Sequence, residues 1–219
     1  VFCSEENFKN LKYLDLQNNK LAEMANFACP QLEYLDISYN KLEKINEGWS
    51  GHPNLKVMKS VENKFKNIAV FKNCPKLEEL WASNNAITSL VGLEGVPGLK
   101  KLHLRHNKIE NIEEEGLPDL QALEYLNLRT NKIKELGHVF RLLTAFPAMK
   151  RMNFMNCPVE LEYSSMNVFI ADCLAKKPDI VRFCKVDIND RHRFEAVHVA
   201  KYKWEKAEAK RKAEELEAA

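Results

Sequence analysis

Through the first 150 or so residues the apolar positions recur as a fixed phrase rather than at a helical period. Leu11, Leu14, Leu16, Asn19 and Leu21 set the phrase, which returns as Leu32, Leu35, Ile37, Asn40 and Leu42, then with substitutions as Leu55, Met58, Ser60, Asn63 and Phe65. Three cleaner copies follow: Leu77, Leu80, Ala82, Asn85, Ile87; Leu99, Leu102, Leu104, Asn107, Ile109; and Leu123, Leu126, Leu128, Asn131, Ile133. A seventh opens at Met149 with Met152 and Phe154, but Cys157 stands at the asparagine position. The starts lie 21, 23, 22, 22, 24 and 26 residues apart, and six copies add an apolar residue three positions on, at Met24, Ile45, Ile68, Leu90, Ile112 and Leu136.

Each copy contains a stretch in which apolar and polar residues alternate, which predicts a short strand with its leucines on one face. One such unit cannot bury its apolar side alone. Stacking copies makes a continuous core and a parallel sheet. The asparagine falls where the strand ends and the chain turns inward, leaving backbone groups that a buried amide can satisfy. Asn19, Asn40, Asn63, Asn85, Asn107 and Asn131 are therefore read as structural.

At Pro158 the pattern changes. Residues 159–183 carry a helical apolar pattern followed by one more strand-like segment, as expected of a unit that keeps the last repeat's apolar side from water. From Asp190, an N-cap candidate, the chain is rich in Ala, Lys and Glu and free of Gly and Pro, which predicts a helix to the end. Phe194, Val197 and Trp204 share one stripe of it, with Lys201 between. Two readings stand: Phe194 and Val197 dock on the closing unit while the rest is solvated, or Trp204 and the charged end reach a second protein. The organisation is thus repeats over 1–158, a cap over 159–189 and a charged helix over 190–219.

The residues interleaved between strand leucines point to the opposite, open face. They are Tyr13, Asp15, Gln17, Tyr34, Asp36 and Ser38 in the first two copies, with Tyr39 near the rim, and Val57, Lys59, Val61, Glu79, Trp81 and Ser83 in the next two. The last three copies present Lys101, His103, Arg105, Tyr125, Asn127, Arg129, Arg151, Asn153 and Met155. Two carboxylates sit at one end, a compensated Lys59 and Glu79 in the middle, and four cations at the other. Trp, Tyr and Arg dominate interface energetics, often by about 2 kcal/mol or more on truncation, and Trp81 is the first candidate for an anchor.

Composition narrows the picture. With 33 Lys and Arg against 31 Asp and Glu, the net charge of +2 argues against an overtly basic nucleic-acid binder or a polybasic membrane anchor. The 26 Leu and 21 Asn, against 7 Gly, count the core and turn positions of the repeats. No run approaches 18 apolar residues and no secretory leader pattern opens the chain. Val1 as first residue, with Phe2 and Phe8 resembling the tail of an earlier repeat, leads us to expect a fragment truncated at its N-terminal end. Cys3, Cys29, Cys74, Cys157, Cys173 and Cys184 form no C-x-x-C pair, and Cys29, Cys74 and Cys157 each precede proline at equivalent places. They read as small buried fillers in a reducing compartment. His52, His103, His106, His138, His192 and His198 make no zinc-protease pattern, and phosphate-cradling or nucleophile-elbow motifs are missing. We therefore expect no catalytic, cofactor or metal site, no small-molecule substrate, no nucleic acid and no membrane. His103 and His106, flanking Arg105, leave a weak metal site or pH-sensitive contact as an alternative to a solvated strand end.

The repeat phrase resembles the leucine-rich repeat family in its short class of about 22 residues. That resemblance implies an α/β solenoid, a curved parallel sheet with a mostly extended or 3₁₀ convex side, closed by a C-terminal cap in which Tyr163 and the Pro178 to Ile180 segment seal the last coil. Residues 121–133, the long sixth coil at 134–147, Asn156-Cys157-Pro158, and segments 91–95 and 102–107 further resemble the repeat proteins of radial spokes in motile cilia, over about residues 27–215. This implies a non-enzymatic scaffold, cytoplasmic and in the ciliary axoneme, assembled with other radial-spoke proteins in a large complex. Its partner-binding residues would be Tyr13, Asp15, Tyr34, Asp36, Tyr39, Trp81, Lys101, His103, Arg105, Tyr125, Arg129 and Arg151 on the concave face, with Trp204 on the helix. Ser60 at a core position and the basic Asn189 to Arg193 stretch depart from the pattern. The alternative is a regulatory module docking through its concave face on a partner such as a protein phosphatase catalytic subunit.

Overall fold

The computed structural model describes residues 8–24, 27–45, 49, 51–113 and 115–217. Seven three-residue strands, one per repeat, are β1 (Tyr13–Asp15), β2 (Tyr34–Asp36), β3 (Val57–Lys59), β4 (Glu79–Trp81), β5 (Lys101–His103), β6 (Tyr125–Asn127) and β7 (Arg151–Asn153). Each pairs in parallel with its sequence neighbours, in a register that lines Leu14, Leu35, Met58, Leu80, Leu102, Leu126 and Met152 into one row. From Leu35 onward that row is buried. Leu11, Leu14, Leu16 and Leu21 of the first repeat are only partly so, since no described strand pairs with the outer edge of β1.

The ladder asparagines do what the spacing implies. Oδ1 of Asn40, Asn63, Asn85, Asn107 and Asn131 accepts a backbone N–H from the preceding coil, at Leu21, Leu42, Phe65, Ile87 and Ile109, each at 3.0 Å. Their Nδ2 groups donate back to carbonyls of the previous repeat, at Leu16, Ile37, Ser60, Ala82 and Leu104, at 2.9–3.0 Å. Among the described residues Asn19, with no described coil before it, donates within its own turn, to Leu16 O and Gln17 O. Cys157 takes over the same place in the seventh repeat, its thiol donating to Leu128 O at 3.2 Å. The residue before each ladder position is left-handed: Asn18, Tyr39, Glu62, Asn84, His106, Thr130 and Asn156 have φ between 54 and 60°.

On the convex side a 3₁₀ turn spans Ala69–Phe71, but the sixth coil holds a true helix, α1 (Leu136–Ala145), which buries His138, Val139, Leu142 and Leu143. The 26 residues between Leu123 and Met149 supply the length that an α-helical return needs. His52 is 2% exposed in the convex layer, against Trp49 (4.8 Å between ring centroids) and Phe27 (4.9 Å), and burial pushes its pKa down to about 4.

After a 3₁₀ segment at Pro158–Glu162 comes α2 (Met166–Lys176), N-capped by Ser165 Oγ on Val168 N. β8 (Arg182–Phe183) extends the sheet in parallel on β7, and β9 (Val186–Asp187) folds back antiparallel. Phe183 seals the stack between Phe154 and Phe169, and Tyr163 stacks on Phe169 while its hydroxyl donates to Asp172 at 2.9 Å.

Helix α3 (Asp190–Glu217) begins under Asn189, whose Oδ1 accepts from His192 N at 3.1 Å, so Asn189 rather than Asp190 is the cap. It docks on α2 through Ala196, 4% exposed, and Lys203, whose ammonium sits 2.6 Å from the Asp172 carboxylate. Phe194 and Val197 are 66% and 67% exposed, which overturns the reading that they dock on the cap. Close packing of two helices favours a small side chain at the contact, so Ala196 and not the bulky stripe faces inward. Cys29, Cys74, Cys157, Cys173 and Cys184 are buried, as the filler reading expects; Cys3 and Phe2 lie outside the described residues. No described helix is long and apolar enough to cross a membrane.

Candidate interaction face

Because the strands are in register, side chains at equivalent places on the open face form rows, and the rows are in contact. Tyr13 and Tyr34 stack at 4.3 Å with 7° between their planes. Lys59 Nζ lies 5.2 Å from the Tyr34 ring centre, 5.8 Å from that of Trp81 and 4.0 Å from the Asp36 carboxylate. Trp81 then stacks on His103 at 3.7 Å and 9°, and His103 leans on Tyr125 at 4.8 Å. The result is one train of rings and a cation from β1 to β6.

Polar bonds lock the train. Trp81 Nε1 donates to Glu79 Oε2 at 3.2 Å, and Glu79 Oε1 accepts from Lys101 at 2.7 Å, which holds that carboxyl below its ordinary pKa. Tyr34 O–H donates to Asp36 at 3.3 Å. His103 is half-buried, and desolvation, only partly opposed by Glu79, lowers its pKa to about 4, so it is a neutral stacking partner at physiological pH. Such side chains have already lost their rotamer freedom, which reduces the entropy lost when a partner binds.

The twelve concave residues divide by availability. Tyr13, Asp15, Tyr39, Lys101, Arg105 and Arg151 are exposed, and Tyr34, Trp81, His103, Tyr125 and Arg129 are half-buried within the train or beside it. Asp36 differs from the expectation: at 5% exposure its carboxylate accepts from Ser38 N at 2.9 Å and from Tyr34, so it braces the turn rather than facing outward. Asn153, also placed on this face by the register, is 7% exposed and bonds Met155 N. Trp204 stands apart on α3, 64% exposed beside Tyr202 at 65%. His106 is on the surface, and His103 is wedged between rings; no cluster of metal-ligating residues forms among the described residues.

Sequence reasoning missed the middle of the train. Lys59 was counted only for its charge, although the register sets it beside Trp81, and its long side chain reaches diagonally to the Tyr34 ring. The missing signal is that equivalent positions on neighbouring parallel strands lie about 4.8 Å apart, close enough for rings to stack.

Two family descriptions match the chain: "Leucine rich repeat" over residues 97–146 and "Leucine Rich repeats (2 copies)" over residues 9–54. Lumican of Homo sapiens is 31% identical over 191 residues, covering 81% of this chain and 54% of that protein; lumican of Oryctolagus cuniculus is 33% identical over 133 residues, 59% of this chain and 68% of that protein. Leucine-rich repeat-containing protein 23 of Xenopus tropicalis is 32% identical over 116 residues, 52% of this chain and 31% of that protein. The chain thus spans about half the length of the first of these relatives. Among solved structures, an internalin (InlF) from Listeria monocytogenes covers 88% of this chain and 53% of its own at 19% identity with a TM-score of 0.59, a likeness of fold alone.

Proposed function

Because the chain belongs to the leucine-rich repeat family, we propose that it is a protein-interaction scaffold whose open strand face is the docking surface. The observation that carries this reading is the continuous train from Tyr13 through Tyr34, Lys59, Trp81 and His103 to Tyr125. It is a preorganised strip of the residue types that dominate interfaces, flanked by unmatched arginines. The exposed carboxylate of Asp15 at one end and the cations at the other give the strip a direction.

The biological setting we propose is the ciliary axoneme, where the chain serves as a non-enzymatic structural subunit of the radial spoke and contacts other spoke proteins. The long sixth coil, with α1 built from it, and the similarity to leucine-rich repeat-containing protein 23 support this setting. Trp204, held out on α3, supplies a second contact. Tagged protein expressed in ciliated cells tests it. Retention in the axoneme after detergent extraction is expected, and release with the soluble fraction would remove the assignment. Within retained material, Trp81→Ala combined with Arg105→Ala and Arg129→Ala is expected to abolish partner co-purification, and unchanged co-purification would remove the docking face.

A further inference from the structure

The cations of the open face fall into two groups. Lys59 lies 4.0 Å from Asp36 and Lys101 2.7 Å from Glu79. Along the rim of the same sheet, Lys12 and Lys56 share Glu33, and Lys100 pairs with Glu78. No described carboxylate lies within ion-pair reach of Arg105, Arg129 or Arg151. Arg105 and Arg129 hold the same place two residues beyond β5 and β6, joined through their backbones by the His106 N–H on Arg129 O at 2.9 Å, and Arg151 opens β7.

Two further observations concern the same place. Arg129 Nε and, next to it, Thr130 Oγ1 are buried polar atoms without a hydrogen-bond partner, a state that costs free energy until a ligand or water satisfies it. His106, beside them, has its pKa lowered first by desolvation and then by the charges of Arg105 and Arg129, with Glu62 opposing.

We propose that Arg105, Arg129 and Arg151 form the receptor for an extended acidic segment of the protein partner, laid obliquely across β5 to β7 with two or three Asp or Glu side chains within about five residues. This rests on the strand face being the docking surface. The length follows from geometry: Arg105 and Arg129 are neighbours across one strand spacing, whereas Arg151 stands in the row of Lys101 and Tyr125, four residues or roughly 13 Å back along the strand direction, so an extended chain at about 3.3 Å per residue reaches all three in about five residues. Guanidinium groups pair with carboxylates bidentately, which accounts for arginine rather than lysine at all three positions. A polynucleotide fits less well. Its bases need free ring faces, yet Trp81 is covered by His103 on one side and approached by Lys59 on the other, and Asp15 repels continuous negative charge at the far end.

Fluorescence anisotropy with the intact chain tests the proposal. The probes are a labelled eight-residue peptide carrying three Glu at alternate positions, its Gln counterpart, and a labelled eight-nucleotide single-stranded RNA. The Glu peptide is expected to bind, to weaken as salt rises, and to lose at least tenfold in affinity to Arg105→Gln with Arg151→Gln, both exposed side chains whose loss leaves the core intact. Arg129→Gln should deepen that loss, and the Gln peptide should not bind. Equal binding of Glu and Gln peptides, no binding of either, or tighter binding of the RNA would overturn the proposal. Partner co-purification separates this from the broader reading. If Trp81→Ala abolishes it while the arginine variants leave it intact, the acidic segment falls and the docking face stands; if no variant changes it, both fall.

Discussion

Between β1 and β5 the cations of the open face are answered within the chain, Lys59 by Asp36 and Lys101 by Glu79, and the rings are stacked into a train. Between β5 and β7 the same register presents Arg105, Arg129 and Arg151 with no described carboxylate in reach. Backbone geometry does not distinguish the halves, since the asparagine ladder and the left-handed step repeat through both. What differs is the residue type at equivalent places. A matched half gives shape and rigidity, whereas an unmatched half leaves charge for a partner to neutralise, which sets specificity and association rate more than fold stability.

The sharpest way to break this contrast is to invert the unmatched half. Arg105→Glu with Arg151→Glu, both exposed side chains, should weaken the partner complex by more than a hundredfold in calorimetric titration, because like charges now face each other, while the urea midpoint stays close to that of the parent. Trp81→Ala attacks the matched half. It should destabilise the fold by about 2 kcal/mol through lost burial and stacking, and rehydrate His103 so that its pKa, followed by NMR, rises from about 4.

Acid provides a milder perturbation. His103 and His52 both have pKa values near 4 in the fold against 6.5 for the ordinary side chain, so the unfolded chain binds the extra protons between those values. Their contribution to stability is complete above pH 6.5 and declines as pH falls toward 4, by something on the order of 1–2 kcal/mol each. His103→Gln should roughly halve the slope that the two histidines produce across that window in denaturation curves, and an unchanged slope would place the proton uptake elsewhere. The smallest effect concerns the step common to both halves. Glu62 holds φ of 55°, and Glu62→Asn should stabilise by roughly 0.5 kcal/mol because asparagine tolerates that conformation better. Differential scanning calorimetry resolves it.

Most of this architecture was legible because burial repeats. The strand leucines and the ladder asparagines share a period near 22, and alternation within each strand then assigned the open face without coordinates. Three features lacked such a signal. The left-handed residue before each ladder position is Asn, Tyr, Glu, His or Thr in different repeats, so no side-chain pattern marks it. Helix α1 was visible only as extra length in the sixth coil. Of the two readings of α3, the one that docked Phe194 and Val197 fails because the apolar stripe was traced through its largest members, when the contact is made by small Ala196 and by Lys203 on the buried carboxylate of Asp172. At the open face, the register located Asp36 correctly but not its use, since its acceptor role depends on where Ser38 N and Tyr34 come to lie.

Hydroxyl-radical footprinting of the partner complex tests the central claim most directly, because Trp81, Tyr125 and Met155 report on the open face while Tyr202 and Trp204 report on α3. The account predicts that Trp81, Tyr125 and Met155 lose reactivity on complex formation. Protection confined to Tyr202 and Trp204, with the three open-face residues as reactive as in the free chain, would contradict it.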